Sequence, residues 1–453
     1  MKKALLIPAL LFGSITLQAQ TNPAILSWIR NTTGLTGRHY VSGNSTPIVD
    51  ADSANVQTVL YSTNWVYVRT KGIPGYVTGP FLDGNPSLAT SQNAIFKLPL
   101  SPVANTGAPV ATTGGNIGIF INGVALFDYR DGVSWKNSTN AIAGGPIPGG
   151  PGDGVWNRDA VLAEKGGFDC SKGHPAMGNY HHHQNPSAFK LDLSVISTVC
   201  NLYDADGLYV INSSAHSPLI GFAYDGFPIY GAYGFKNTDG TGGIVRMKSS
   251  YALRSITTRT TYADGSPVTA GPAVSTTYPL GYFREDYEYI APTAAQPDYL
   301  DSHNGRFCVT PEYPAGTYAY FCTVDAQHNS AYPYAVGPTF YGVKTGVKVT
   351  SITEPVTTYN PSSSYTTITT GNLDVIIFPN PSNDFIAVQT DNAMYQDMHV
   401  AIFDMTGRLL QSSIINAGST ISYLDTRTFY SGEYLVRVYN ENGAVTKKIT
   451  ITK

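Results

Sequence analysis

The chain has 453 residues, enough for about three domains at roughly 150 residues each, and its Lys+Arg 28 against Asp+Glu 31 gives a net charge of −3. That balance lacks the basic excess of a nucleic-acid binder. A charged fraction of 13%, with Gly 45, Pro 29 and Tyr 31, favours strands and turns over helices. It excludes a coiled coil, a helical bundle and a multi-pass membrane protein, while 42% apolar content excludes global disorder.

Residues 1–20 read as a secretory signal peptide: Lys2 and Lys3 precede a short apolar run, and Leu17-Gln18-Ala19-Gln20 supplies small residues for cleavage. No later run approaches the roughly 18 apolar residues of a spanning helix, so the expectation is an exported protein without a membrane span. Residues 56–70 alternate in the period-2 pattern of a half-buried strand. Residues 72–86 carry turn signals. Strands are expected at 94–98 and 116–127, the second broken by a turn at Asn122-Gly123. Residues 144–154 are nine-elevenths Gly or Pro, a long irregular loop, and a short helix is expected near 157–165.

In an oxidising compartment the four cysteines read as disulfides. Sequence alone allows three pairings. The local pairs Cys170–Cys200 and Cys308–Cys322 are favoured because each brackets a coherent segment, and the absence of CxxC spacing argues against thiolate metal ligation.

Seven of the nine histidines lie between His174 and His328, most densely in CSKGHP (170–175) and YHHH (180–183). If 180–183 is extended, His181 and His183 share one face and Tyr180 and His182 the other. Gly173 and Pro175 can turn His174 back toward that face. His216 and Asp225, in the apolar run 216–231, are candidates to complete the set, Asp225 as a ligand or as an acceptor orienting an imidazole. The bland alternative for Asp225-Gly226 is a hairpin turn. Glu312, in TPEYPAG (310–316), is a weak candidate ligand or general base and reads more readily as an exposed loop residue. The expected metal ligands are therefore His174, His181, His183 and His216, a set suited to Zn or Cu.

Residues 169–186, GFAYDGFPIYG (221–231) and TPEYPAGTYAYF (310–321) resemble the YHYH-domain family of secreted bacterial proteins, over about residues 50–345. This chain has YHHH where the family has Tyr-His-Tyr-His. The departure falls at His182, opposite the His181/His183 face, and puts in doubt any role of the family's second tyrosine. The resemblance implies a fold unit without an established reaction.

Residues 350–372 hold twelve Ser or Thr and read as an exposed linker. Residues 373–453 follow with short, evenly spaced strands and turns, a small β-sandwich. FPNPS (378–382), DxxGRLL (404–410), FxSGxYLVRV (429–438) and KKITITK (447–453) closely resemble the type A sorting domain of the type IX secretion system of Bacteroidetes. That implies outer-membrane transport and the secretion machinery as partner, with the tail removed or exchanged for a surface anchor.

The expected fold is mainly β: a large irregular domain with long Gly/Pro loops (21–349), then the small sandwich, the two behaving independently. Three function classes follow: a metal-binding protein or metalloenzyme, a polysaccharide- or surface-binding adhesin suggested by 31 Tyr and low charge, and a metal-independent hydrolase using His216 and Asp225. The last is weakest, since no GxSxG, HExxH or P-loop motif occurs.

Overall fold

A computed structural model describes residues 22–452 apart from 84–86, 146, 148–149, 189–199, 201–206, 361–367, 372–374, 391–395, 405–406, 418 and 441–442. The expected signal peptide and part of the Gly/Pro loop lie outside the described residues. Almost all regular structure is strand, and no described helix is long and apolar enough to cross a membrane.

The site is built on an eight-stranded sheet, whose strands we number in chain order: β1 (Asn116–Phe120), β2 (Ala125–Phe127), β3 (His174–Ala176), β4 (Asn179–His182), β5 (Leu219–Ala223), β6 (Pro228–Tyr230), β7 (Gly305–Cys308) and β8 (Thr317–Phe321). Their spatial order is β3-β4-β2-β1-β5-β6-β8-β7. The expected strand at 116–127 is the β1–β2 hairpin, turned at Gly123 with φ +84°. β4 pairs parallel to β2, and β6 parallel to β8. All five residues of β5 and of β8 are buried, so the sheet centre is covered on both faces and reads as continuous apolar runs.

A second, five-stranded sheet is antiparallel throughout. The expected strand at 56–70 is two of its members, Val56–Tyr61 and Trp65–Thr70. Its edges are Val347–Val349 and Thr357–Thr358. The start of the expected linker is thus sheet: Thr357 and Thr358 pair with Tyr61 and Leu60, and Tyr359 is buried. Thr-rich sequence suits an edge strand as well as a solvated tether, and composition does not separate the two. Its end is sheet as well, Ile368–Gly371 pairing antiparallel with Gly443–Ile451, while residues 361–367 and 372 lie outside the described residues.

The C-terminal unit has one five-stranded and one three-stranded sheet. The two units are docked against each other rather than separated by a solvated tether. In Phe385–Thr390, Ile386 and Val388 face the sandwich's own core, while Phe385 and Ala387 join the core of the large domain with Phe378 and Ile421. Period-2 alternation serves two cores at once. Tyr423 donates to Ser27 Oγ at 3.1 Å, and Gln389 Nε2 donates to the Trp28 carbonyl at 3.2 Å. Docking is carried by the sandwich face, so a polar linker says nothing about it.

Cys170 and Cys200 form a disulfide. Cys308 and Cys322 do not; both are free and buried. They do flank a hairpin, but its register sets Cys308 opposite Thr317. Cys322 lies beyond the far end of β8, its N–H donating to the Tyr230 carbonyl.

Candidate metal centre

Three imidazoles converge because two strands and one turn place them. β3 and β4 form a hairpin whose turn, Met177-Gly178, has both φ angles positive (+50° and +82°), the backbone that matches a two-residue hairpin. The register sets His174 directly opposite His181, so their side chains leave the same face. His183 follows two residues after His181 and shares that face. Nε2 of His183 lies 3.1 Å from Nε2 of His181 and 3.4 Å from Nε2 of His174, and ligand atoms of all three fall within 4.8 Å of one another.

The other ring nitrogens are committed. His181 Nδ1 donates to the Asn179 carbonyl at 2.8 Å, and His183 Nδ1 donates to the Asp128 carbonyl at 2.6 Å. These bonds fix the tautomer and leave Nε2 as a lone-pair donor for a metal. Phe127 stacks on His181 with centroids 3.9 Å apart, and Phe168 meets His174 edge-on at 4.9 Å. Phe168 also packs with the Cys170–Cys200 bridge, which holds this loop against the domain.

A fourth group escaped sequence reading. Glu164 Oε2 stands 3.3 Å from Nε2 of both His174 and His183. Its segment was expected to be helix from 157. Instead Asn157–Asp159 is a strand, and only Ala160–Ala163 is helical, capped by Asp159, which accepts from Val161 N and Leu162 N. Nothing in spacing links Glu164 to histidines ten or more residues later.

Charge follows from the packing. Burial, then the two neighbouring imidazoles, hold His181 well below its ordinary pKa. Burial would lower His183 as well, but the Glu164 carboxylate carries it above its ordinary value. Burial would raise Glu164; the His174 and His183 imidazoles beside it outweigh burial and hold the carboxyl far below the usual range. The donor set is borderline nitrogen plus a carboxylate, which suits Zn or Cu.

The opposite face of β4 is core. Tyr180 donates to Asp169 Oδ2 at 2.8 Å. His182 Nε2 accepts from Tyr76 at 2.6 Å, and its Nδ1 donates to the Lys172 carbonyl at 3.1 Å. Burial pushes His182 down to about 3. A model of the YHYH protein family matches residues 95–332, more than half the chain. The chain belongs to the YHYH protein family. Its variant third motif position, His182, is a packed, neutral core residue of this family member and no part of the imidazole cluster.

Residues 376–452 match the secretion system C-terminal sorting domain, which marks the protein for export and surface attachment by the type IX system. No curated protein matches the chain. One similar solved structure is a DUF3244 family protein with an immunoglobulin-like β-sandwich fold from Bacteroides vulgatus. It is 18% identical, covers 19% of this chain and 92% of its own, and has a TM-score of 0.17.

The remaining expected site residues of this YHYH domain lie elsewhere. β5, which His216 precedes, is three strand spacings from β4, about 14 Å. The His216 ring packs against Tyr230 and Phe235, and its Nδ1 donates to the Ser217 carbonyl at 2.7 Å. It is not a fourth imidazole. Asp225 sits in the β5–β6 hairpin turn and accepts from Tyr320 OH, Gly342 N and Phe227 N at 2.6, 2.8 and 3.2 Å. It is a buried turn carboxylate, neither metal ligand nor partner of His216, which lies at the other end of β5. The His216–Asp225 hydrolase pair therefore does not form. Glu312 is buried, not exposed; it accepts from Tyr230 OH at 2.6 Å, and burial pushes it up to about 7.

Proposed function

We propose that this exported protein carries a single metal centre of Zn or Cu class, held by Nε2 of His174, His181 and His183, and presents it at the cell surface. One observation supports this reading above all. Ligands at roughly 2.0–2.1 Å around a tetrahedral ion stand about 3.3–3.4 Å apart. His183 lies 3.1 and 3.4 Å from the other two imidazoles and Glu164 3.3 Å from His174 and from His183, with ligand nitrogens of all three imidazoles within 4.8 Å of one another. Lone pairs so close repel unless a cation or proton lies between them. The tyrosines that suggested an adhesin surface lie largely inside, with Tyr180, Tyr209, Tyr230, Tyr318 and Tyr320 almost wholly buried.

The test is metal analysis of the full chain after dialysis against trace Zn and Cu. About one equivalent per chain is expected for a single closed set of ligands; a protein that stays metal-free in micromolar Zn and Cu rejects the centre. Export is proposed to begin with removal of residues 1–20. The N-terminal sequence of the exported protein then starts near residue 21, and an intact Met1 overturns that step.

A further inference from the structure

We infer that Glu164 is a displaceable ligand, and that a small monodentate anion takes its place on the metal. This rests on the three-imidazole reading and extends it from a closed site to one that accepts a ligand.

Glu164 is held differently from the histidines. The imidazoles sit on paired strands or are tied through Nδ1 to backbone carbonyls. Glu164 stands at the junction of the four-residue helix Ala160–Ala163 and the 3-10 turn Lys165–Gly167, and that turn has no side-chain cap. Among the described residues its Oε2 has no hydrogen-bond partner, the imidazoles of His174 and His183 standing beside it at 3.3 Å. The side chain is also the open edge of the cluster: 26% exposed, against 9% for His174 and 3% for His183. Phe127 and Phe168 pack on the rings of His181 and His174.

Charge selects the replacement. Three neutral imidazoles leave a divalent ion its full charge, and Glu164 removes one unit of it. A neutral ligand entering in its place leaves that unit unbalanced on a largely buried ion, whereas a monoanion restores it. Oε2 itself is buried while the rest of the side chain borders solvent, so outward rotation of Glu164 would admit a small anion without disturbing the strands. Ligand exchange is the whole step: one metal–carboxylate bond breaks, one metal–anion bond forms, and no electron moves.

The probe is Co2+ bound to the full chain, with azide as the anion and the visible spectrum as the readout. Glu164→Ala should still bind Co2+, and azide should shift its spectrum at least about tenfold more tightly than in the unsubstituted chain, because a competing internal ligand scales the apparent constant by the free fraction. Glu164→Gln, which keeps the shape and removes the charge, should behave likewise and guards against misfolding of the alanine variant. Loss of Co2+ binding beyond about 100-fold in both folded variants would make Glu164 a permanent ligand and overturn the inference. Equal azide affinity in all three chains overturns it too. If the unsubstituted chain binds no Co2+, Zn or Cu, the metal centre itself is rejected, an outcome distinct from either of these.

Discussion

Two sets of histidines and carboxylates flank the same eight-stranded sheet, and only one of them converges. In the first, His174, His181 and His183 bring three ring nitrogens together, with Glu164 beside His174 and His183. In the second, His216, Asp225 and Glu312 are each engaged separately: a backbone carbonyl for His216, three donors for Asp225, Tyr230 for Glu312. Both sets are buried and both carry shifted pKa values. Burial and pKa shift alone therefore do not mark a site. Convergence does, and convergence here comes from hairpin register.

Breaking the first set should have the largest effect. His181→Ala with His183→Ala leaves one imidazole, and metal affinity should fall by more than about 100-fold, the upper end for merely outer-shell changes. His216→Ala should leave metal stoichiometry unchanged. Isothermal titration with Zn2+ on the three chains checks both; retained binding in the double variant would erase the distinction between the two sets.

The second set should respond in stability instead. Asp225→Ala strands the Tyr320 hydroxyl and two backbone N–H groups in a buried turn, a loss on the order of 3 kcal/mol. Urea denaturation should show that loss with metal affinity unaltered. A variant that unfolds normally but binds no metal would make Asp225 a site residue after all.

The sorting domain provides a gentler comparison, because it touches only the second set. A cavity of 250 Å³ is lined by His216 and Glu312 on one side and by Asn416, Ser422 and Tyr423 of the tail on the other. A chain ending at residue 360 uncovers that region and the core contacts of Phe378, Phe385, Ala387 and Ile421. The large domain should lose on the order of 2 kcal/mol, about one buried aromatic side chain's worth, and keep its metal. An unchanged melting transition would mean the docked face contributes nothing.

Particular residues show how much of this was legible. The i, i+2 spacing put His181 and His183 on one face, since strand periodicity is local. His174 was expected near them through a turn at Gly173 and Pro175; it arrives instead on a strand, returned by the turn at Met177-Gly178. Glu164 was not legible, because its approach depends on where a single helical turn docks, a tertiary fact. His216 was misplaced for the converse reason: nearness in sequence says nothing about the two strands that separate β4 from β5. Cys308 and Cys322 failed on register alone, as hairpin strands share a turn without bringing chosen residues opposite each other. The all-β class and the two-sheet tail came through because alternation and turn residues are local signals; the docking of that tail depends on which of its faces meets another surface.

The smallest effect is a difference in sign. His216 is held at about 4, with burial the main cause, so the unfolded chain, near the ordinary 6.5, takes up a proton first. Its contribution to stability is full above 6.5 and is lost as pH falls from 6.5 toward 4. His183 is raised by Glu164, so in metal-free protein its contribution is full below 6.5 and is lost as pH rises through its folded value. Acid thus weakens the contribution of His216 and strengthens that of His183. Buried His181 and His182 titrate in the same direction as His216. Burial raises Asp159, Asp169, Asp225 and Glu312, so these carboxyls add stability on acidification, and the net slope is a balance of opposed contributions. His216→Gln should remove from that balance a loss on acidification of up to about 1.4 kcal/mol per pH unit, one proton's worth. Glu164→Gln should shift the balance the other way, because without the carboxylate His183 no longer gains from protonation. Urea midpoints between pH 4 and 7 in the presence of chelator measure both slopes. Changes of the same sign in the two variants would mean that Glu164 does not hold a proton on His183, and that the first set needs its metal to stay together.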